Sequence, residues 1–153
     1  MATTRVAGLF YLLTFVAGTA ALVLRVGPIA AATGAIAAAS YIAVTLLLYV
    51  VFKPINRHVS LVAAIVSLAG IVLGALRLLP FNSLVFFGVY CLLLAYLIFR
   101  SPSAPRALAP LMVFAGLGWL TFASQAVAQT LYPYNFAPGM IGEGALTVWL
   151  LLA

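Results

Sequence analysis

Glu143 is the one acidic side chain in a chain of 153 residues, and aspartate is absent. It lies in an apolar stretch near the C-terminal end. An ionisable group in such a stretch is by default a candidate functional group, because a charge at the centre of a membrane helix costs about 2.5–3.5 kcal/mol on an insertion scale unless a partner meets it. Arg77 is the first-choice partner and Arg25 the second, and the start of the last apolar stretch adds the partial positive charge of a helix N-terminus. The pair can serve as a fixed tie holding two helices in register, as a site that handles a ligand or proton, or as a contact to a lipid headgroup. Gln125 and Gln129 are four apart and share a helix face. With Ser124 they would line a polar pocket beside Glu143 and Arg77, or would simply hydrogen-bond between helices.

The other reactive types are sparse. His58 is the sole histidine and Cys91 the sole cysteine. His58 is the only imidazole that could ligate a haem-like cofactor, but beside Arg57 in a loop it reads more simply as solvated. Cys91 sits in an apolar run as a small buried hydrophobe, with no partner for a disulfide or a CxxC motif. One Glu, one His and one Cys do not make a metal-ligand set, and two-carboxylate acid–base chemistry lacks its second acid. There is no Gly-rich phosphate loop, Ser/His/Asp set or HExxH. No cofactor is expected, and an enzyme is the least supported class.

These residues must be positioned by elements that live in lipid. The chain is 67% apolar and 5% charged, with a mean hydropathy of +1.31, whereas soluble domains are about 45–50% apolar and about 25% charged. The net charge of +6 comes from scattered single bases rather than a basic run, which argues against nucleic-acid binding. Six apolar stretches follow one another: Val6–Leu24, Ile29–Phe52, Val59–Leu79, Phe81–Phe99, Ala107–Leu131, and a last one from near Pro138 to Ala153. They are apolar all round and lack period-2 alternation, so a transmembrane β-barrel is excluded. The expected fold is all-α, a polytopic transmembrane bundle of about six helices in a single domain, residues 1–153.

Proline and polar breaks separate the stretches, as at Lys53-Pro54-Ile55-Asn56-Arg57-His58. With six spans, Arg5, Lys53, Arg57, Arg100 and Arg106 fall on one side and Arg25 and Arg77 on the other. By the positive-inside rule both termini are cytoplasmic, and Lys53, Arg57, Arg100 and Arg106 are expected to meet anionic headgroups. The first stretch runs past the small residues Ala17–Ala21 to Leu24, which favours a retained span over a cleaved signal peptide. The last is short for a span, so it begins before Pro138 or the natural chain continues past Ala153.

Small residues mark helix packing: Gly70 and Gly74 form a GxxxG, and Ala30–Ser40 is alanine-rich. Internal packing is the expected use, with self-association as the alternative. Phe81, Phe86, Phe87, Tyr90, Tyr96 and Phe99 make the fourth stretch the candidate lipid-facing helix. Tyr132, Tyr134 and Phe136 suit an interfacial aromatic belt.

Several segments together resemble a family of bacterial integral membrane proteins known as a domain of unknown function, numbered four-three-eight-six. They are Arg5–Leu13, Lys53–Arg57, Tyr96–Ser101, Pro105-Arg106, Gly116-Leu117-Gly118 and Pro138-Gly139-Met140-Ile141-Gly142-Glu143, the last being the most specific. This chain is shorter than the family pattern between its first two spans and at its C-terminus. The resemblance implies a helical fold in the bacterial inner membrane and names no substrate. The leading functional expectation is a non-enzymatic bundle that binds a small molecule or lipid, or an accessory subunit of a membrane assembly with a protein partner or a second copy. The alternative is a small transporter or channel using the polar cluster around Glu143 and Arg77, against which stand the lack of a visibly broken span and of an inverted repeat.

Overall fold

A computed structural model describes residues 2–24, 26–76 and 82–153. The chain is all-helical, in keeping with a helical membrane bundle, and no strand occurs among the described residues. The α-helices run Ala2–Leu24 (α1), Pro28–Phe52 (α2), Arg57–Ala75 (α3), Leu84–Arg100 (α4), Leu108–Leu120 (α5), Gln125–Leu131 (α6) and Ala137–Leu152 (α7). Helices α1, α2 and α3 are each long and apolar enough to cross a membrane, and Leu84–Arg100 and Leu108–Ala123 are shorter apolar helical segments. Contacts gather the chain into two compact units, one of residues up to Leu48 with Thr147–Ala153 and one of Tyr49–Leu146.

In the first unit, α1 and α2 pack through small residues. A side chain added at Gly18 would touch Ala37, and one at Gly34 would touch Ala21, so the alanine-rich start of α2 lets the two backbones approach. Tyr11 is fully buried there, edge-on to Tyr41 at 5.6 Å and stacked on Phe15 at 5.7 Å. Ser40, Tyr41, Val44, Thr45 and Leu48 form the buried stripe of α2, at the spacing of one helix face.

The second unit begins with the last turn of α2 and the tight turn that follows it. Asn56 stands in extended backbone and its side chain accepts the Val59 N–H at 3.1 Å, capping α3. Ser60, one turn in, donates to the Tyr49 carbonyl at 3.1 Å. The GxxxG of α3 is used internally: Gly70 lies against Phe86 and Gly74 against Ser83. Helix α4 packs on both α3 and α5. This corrects the expectation of a lipid-facing fourth helix, since Gly88, Tyr90, Cys91, Leu94, Ala95, Leu97 and Ile98 are all buried, while Val89, Tyr96 and Phe99 are exposed. Its bulk fills grooves on two neighbours, and its small residues admit α5: Gly88 and Gly116 lie backbone to backbone.

The fifth apolar stretch, expected as one span over Ala107–Leu131, is broken. After α5 the chain tightens into a 3-10 turn, Thr121–Ala123, and Ser124 then takes extended backbone and caps α6 through a side-chain contact to the Val127 N–H. Hydroxyls explain the break. Thr121 donates to the Gly118 carbonyl at 2.7 Å, and Ser124 offers the next helix its cap, both local bonds that compete with a continuing α-helix. The chain turns again at a cis Tyr132–Pro133 peptide and a second 3-10 turn, Tyr134–Phe136, before α7 begins at Ala137. The short last stretch therefore starts one residue before Pro138.

Candidate functional site around Glu143

Helix α7 approaches α5 closely because two of its residues have no side chain. A Cβ at Gly142 would fall against the Leu111 carbonyl and lie 2.7 Å from the Ala115 Cβ. One at Gly139 would collide with the indole of Trp119, whose Nε1 would be 2.8 Å away. The indole thus lies on the bare backbone of α7, one turn before Glu143. Helical side chains lean toward the N-terminus, so the Glu143 carboxylate reaches back along the same face to the indole edge. Trp119 Nε1 donates to Glu143 Oε1 at 2.5 Å, a short hydrogen bond. From α4, the Cys91 thiol donates to the same oxygen at 3.8 Å. Glu143 is 4% exposed and Cys91 fully buried, so one carboxylate oxygen links α4, α5 and α7 in an apolar interior.

Aromatic rings close this site toward the break. Trp119, Phe122 and Phe136 pack mutually, with Phe122 and Phe136 edge-to-face at 5.2 Å, and Tyr132 sits edge-on to Phe136 at 6.1 Å. Asn135 is buried beneath them, and its amide reaches across the break to Thr121 Oγ1 at 3.5 Å and the Ala128 carbonyl at 3.4 Å. Tyr132 and Tyr134 are exposed.

The expected site residues fare differently. Arg77 and Arg25, the proposed partners of Glu143, lie outside the described residues. Gln125 and Gln129 are exposed on α6 and do not share the buried surroundings of Glu143; the break at Ser124 takes them off the face that α5 presents. His58 is exposed in the first turn of α3. Among the described residues no three His, Cys, Asp or Glu side chains gather to hold a metal.

The family model of a domain of unknown function, DUF4386, matches residues 81–153. DUF4386 is the family that the sequence resembles. The matched residues contain every element of the Glu143 site: Cys91 on α4, Trp119 on α5, and the Pro138–Glu143 segment on α7. The resembling segments Arg5–Leu13 and Lys53–Arg57 precede it. No curated protein and no solved structure matches the chain.

Residue type alone passes over Trp119 and marks Cys91 only as a hydrophobe. The available signal was a pairing argument: in apolar surroundings an indole N–H needs an acceptor and a lone carboxylate needs donors. The glycine one turn before Glu143 marks where a large ring can lie.

Proposed function

We propose that the protein is a non-enzymatic, multi-pass protein of the bacterial cytoplasmic membrane, with both termini cytoplasmic, that acts by binding. It either holds a small molecule or lipid within its bundle or serves as an accessory subunit of a membrane assembly. The observation that carries this reading is the internal commitment of the only acid in the chain. Glu143 is buried and bonded to Trp119 and Cys91, an arrangement suited to fixing helices and shaping a pocket wall. General acid–base work needs a group within reach of the proton it transfers, and a carboxylate in this packing has its reach taken by protein donors. The pairing of Glu143 with Arg77 belongs to the same proposal, since both would tie α7 to its neighbours.

Native mass spectrometry of the detergent-released protein tests the reading. A stoichiometric non-protein mass or partner chain, present in the wild type and lost in Glu143→Gln while the helical circular dichroism is retained, supports it. A bare single chain in both contradicts it.

One observation favours the alternative of a transporter or channel: the fifth stretch is discontinuous, as transporter helices around substrate sites often are. Its position weakens that reading. At about 1.5 Å per α-helical and about 2 Å per 3-10 residue, Leu108–Ala123 already extends most of a bilayer core, so the break caps the helix end instead of interrupting its middle.

A further inference from the structure

We infer that the α2–α3 turn and the α4–α5 turn together form one site for a phosphate-bearing anionic lipid headgroup, carried by Lys53, Arg57, Arg100 and Arg106. The helix register brings these residues to one end of the second unit. Gly70 lies against Phe86 and Gly74 against Ser83, so α3 and α4 run antiparallel and the start of α3 is level with the end of α4. Gly88 lies against both Gly116 and Leu120, and Gly116 against Leu92, so α5 also runs antiparallel to α4 and starts level with its end. Arg57 opens α3, Arg100 closes α4, and Arg106 precedes α5 by two residues.

All four basic side chains are exposed. Lys53 follows α2 directly, with its Nζ 5.8 Å over the Tyr49 ring. The α4–α5 turn is held by Ser101, whose hydroxyl bonds the Ser103 hydroxyl at 3.1 Å and accepts the Ser103 N–H at 3.3 Å. The one acidic side chain of the sequence is buried on α7 against Trp119, so no side-chain carboxylate competes for these cations.

Guanidinium chemistry accounts for the phosphate, and exposed apolar surface beside it selects a lipid over a soluble anion. Guanidinium groups match phosphate oxygens in a fork, which accounts for the headgroup. Tyr96 shares the α4 face of Arg100 one turn away, and it and Phe99 are exposed, 44% and 60% respectively, offering apolar surface where acyl chains would lie. Orienting the chain during insertion requires only that bases fall on one side. It does not require them to converge in the folded protein.

The test titrates the full chain, in neutral detergent, with phosphatidylglycerol, phosphatidylcholine and inorganic phosphate, and reads bound mass by native mass spectrometry. We expect one saturable phosphatidylglycerol per chain. Each removed charge should weaken binding about fivefold, so Arg57→Gln with Arg100→Gln should weaken it roughly 25-fold. The matching double lysine variant keeps the charges and should keep the binding. The inference is overturned if the glutamine variant binds as the wild type does, if phosphatidylcholine binds equally well, or if the folded lysine variant fails to bind. Displacement of the lipid by equimolar inorganic phosphate would assign the cluster to a soluble anion and overturn it as well.

Discussion

A carboxylate placed in an apolar helix must exchange its water shell for donors, and on α7 the exchange depends on a residue that has no side chain. Gly139 leaves room for the Trp119 indole, and the indole N–H then meets the Glu143 carboxylate one turn on. A methyl at Gly139 would force the ring away, and overpacking of this kind costs about 1–3 kcal/mol. Gly144 faces open space, with nothing within 4 Å of an added Cβ, so alanine there should gain helix propensity, up to about 1 kcal/mol. Thermal unfolding in detergent should therefore separate the two: Gly139→Ala lowers the midpoint, and Gly144→Ala leaves or raises it. Equal effects would show that Gly139 holds no ring. The acid itself stood out in the sequence because it has no other of its kind. Its donors did not, because indole and thiol groups pass as ordinary apolar residues until packing brings them within reach.

Among the helices, ends were more legible than faces. The stretches Val6–Leu24 and Ile29–Phe52 correspond closely to α1 and α2, Ala2–Leu24 and Pro28–Phe52, because proline and charge end an apolar run wherever it packs. Asn56 shows the local chemistry that sets such an end. Its side chain caps α3 through the Val59 N–H, so Asn56→Ala should cost about 1 kcal/mol, read as a lower melting temperature, while Asn56→Ser or Asn56→Asp should recover most of it. No loss in the alanine variant would remove the cap from the account. Faces were hidden because helices that are apolar all round carry no amphipathic stripe. Helix α4 therefore looked lipid-facing from its aromatic content, although its small residues Gly88, Cys91 and Ala95 admit close neighbours and are buried. The break after α5 was hidden for another reason. Neither Thr121 nor Ser124 marks a helix end by residue type within an apolar run, and only their bonds to Gly118 and Val127 reveal two helix ends.

For the molecule as a whole, apolar composition accounts for an all-helical chain with three helices long enough to cross a membrane, and the proposed topology extends this to six spans. Reporter fusions after Arg25, Arg57, Pro80 and Arg106 should alternate outside, inside, outside, inside. Two adjacent loops on one side would sink that topology. The protein's only acidic side chain is an internal anchor tying α4, α5 and α7 together. A double-mutant cycle on the detergent-solubilised protein is the direct test, using Trp119→Phe, which keeps a ring and removes the donor, and Glu143→Leu, which removes the acceptor. Each single change should destabilise by about 1–3 kcal/mol, the scale of leaving a buried donor or acceptor without its partner. The double variant should lose at least about 1 kcal/mol less than the two losses summed. Costs that add to within about 0.5 kcal/mol, the behaviour of independent sites, would contradict the anchor.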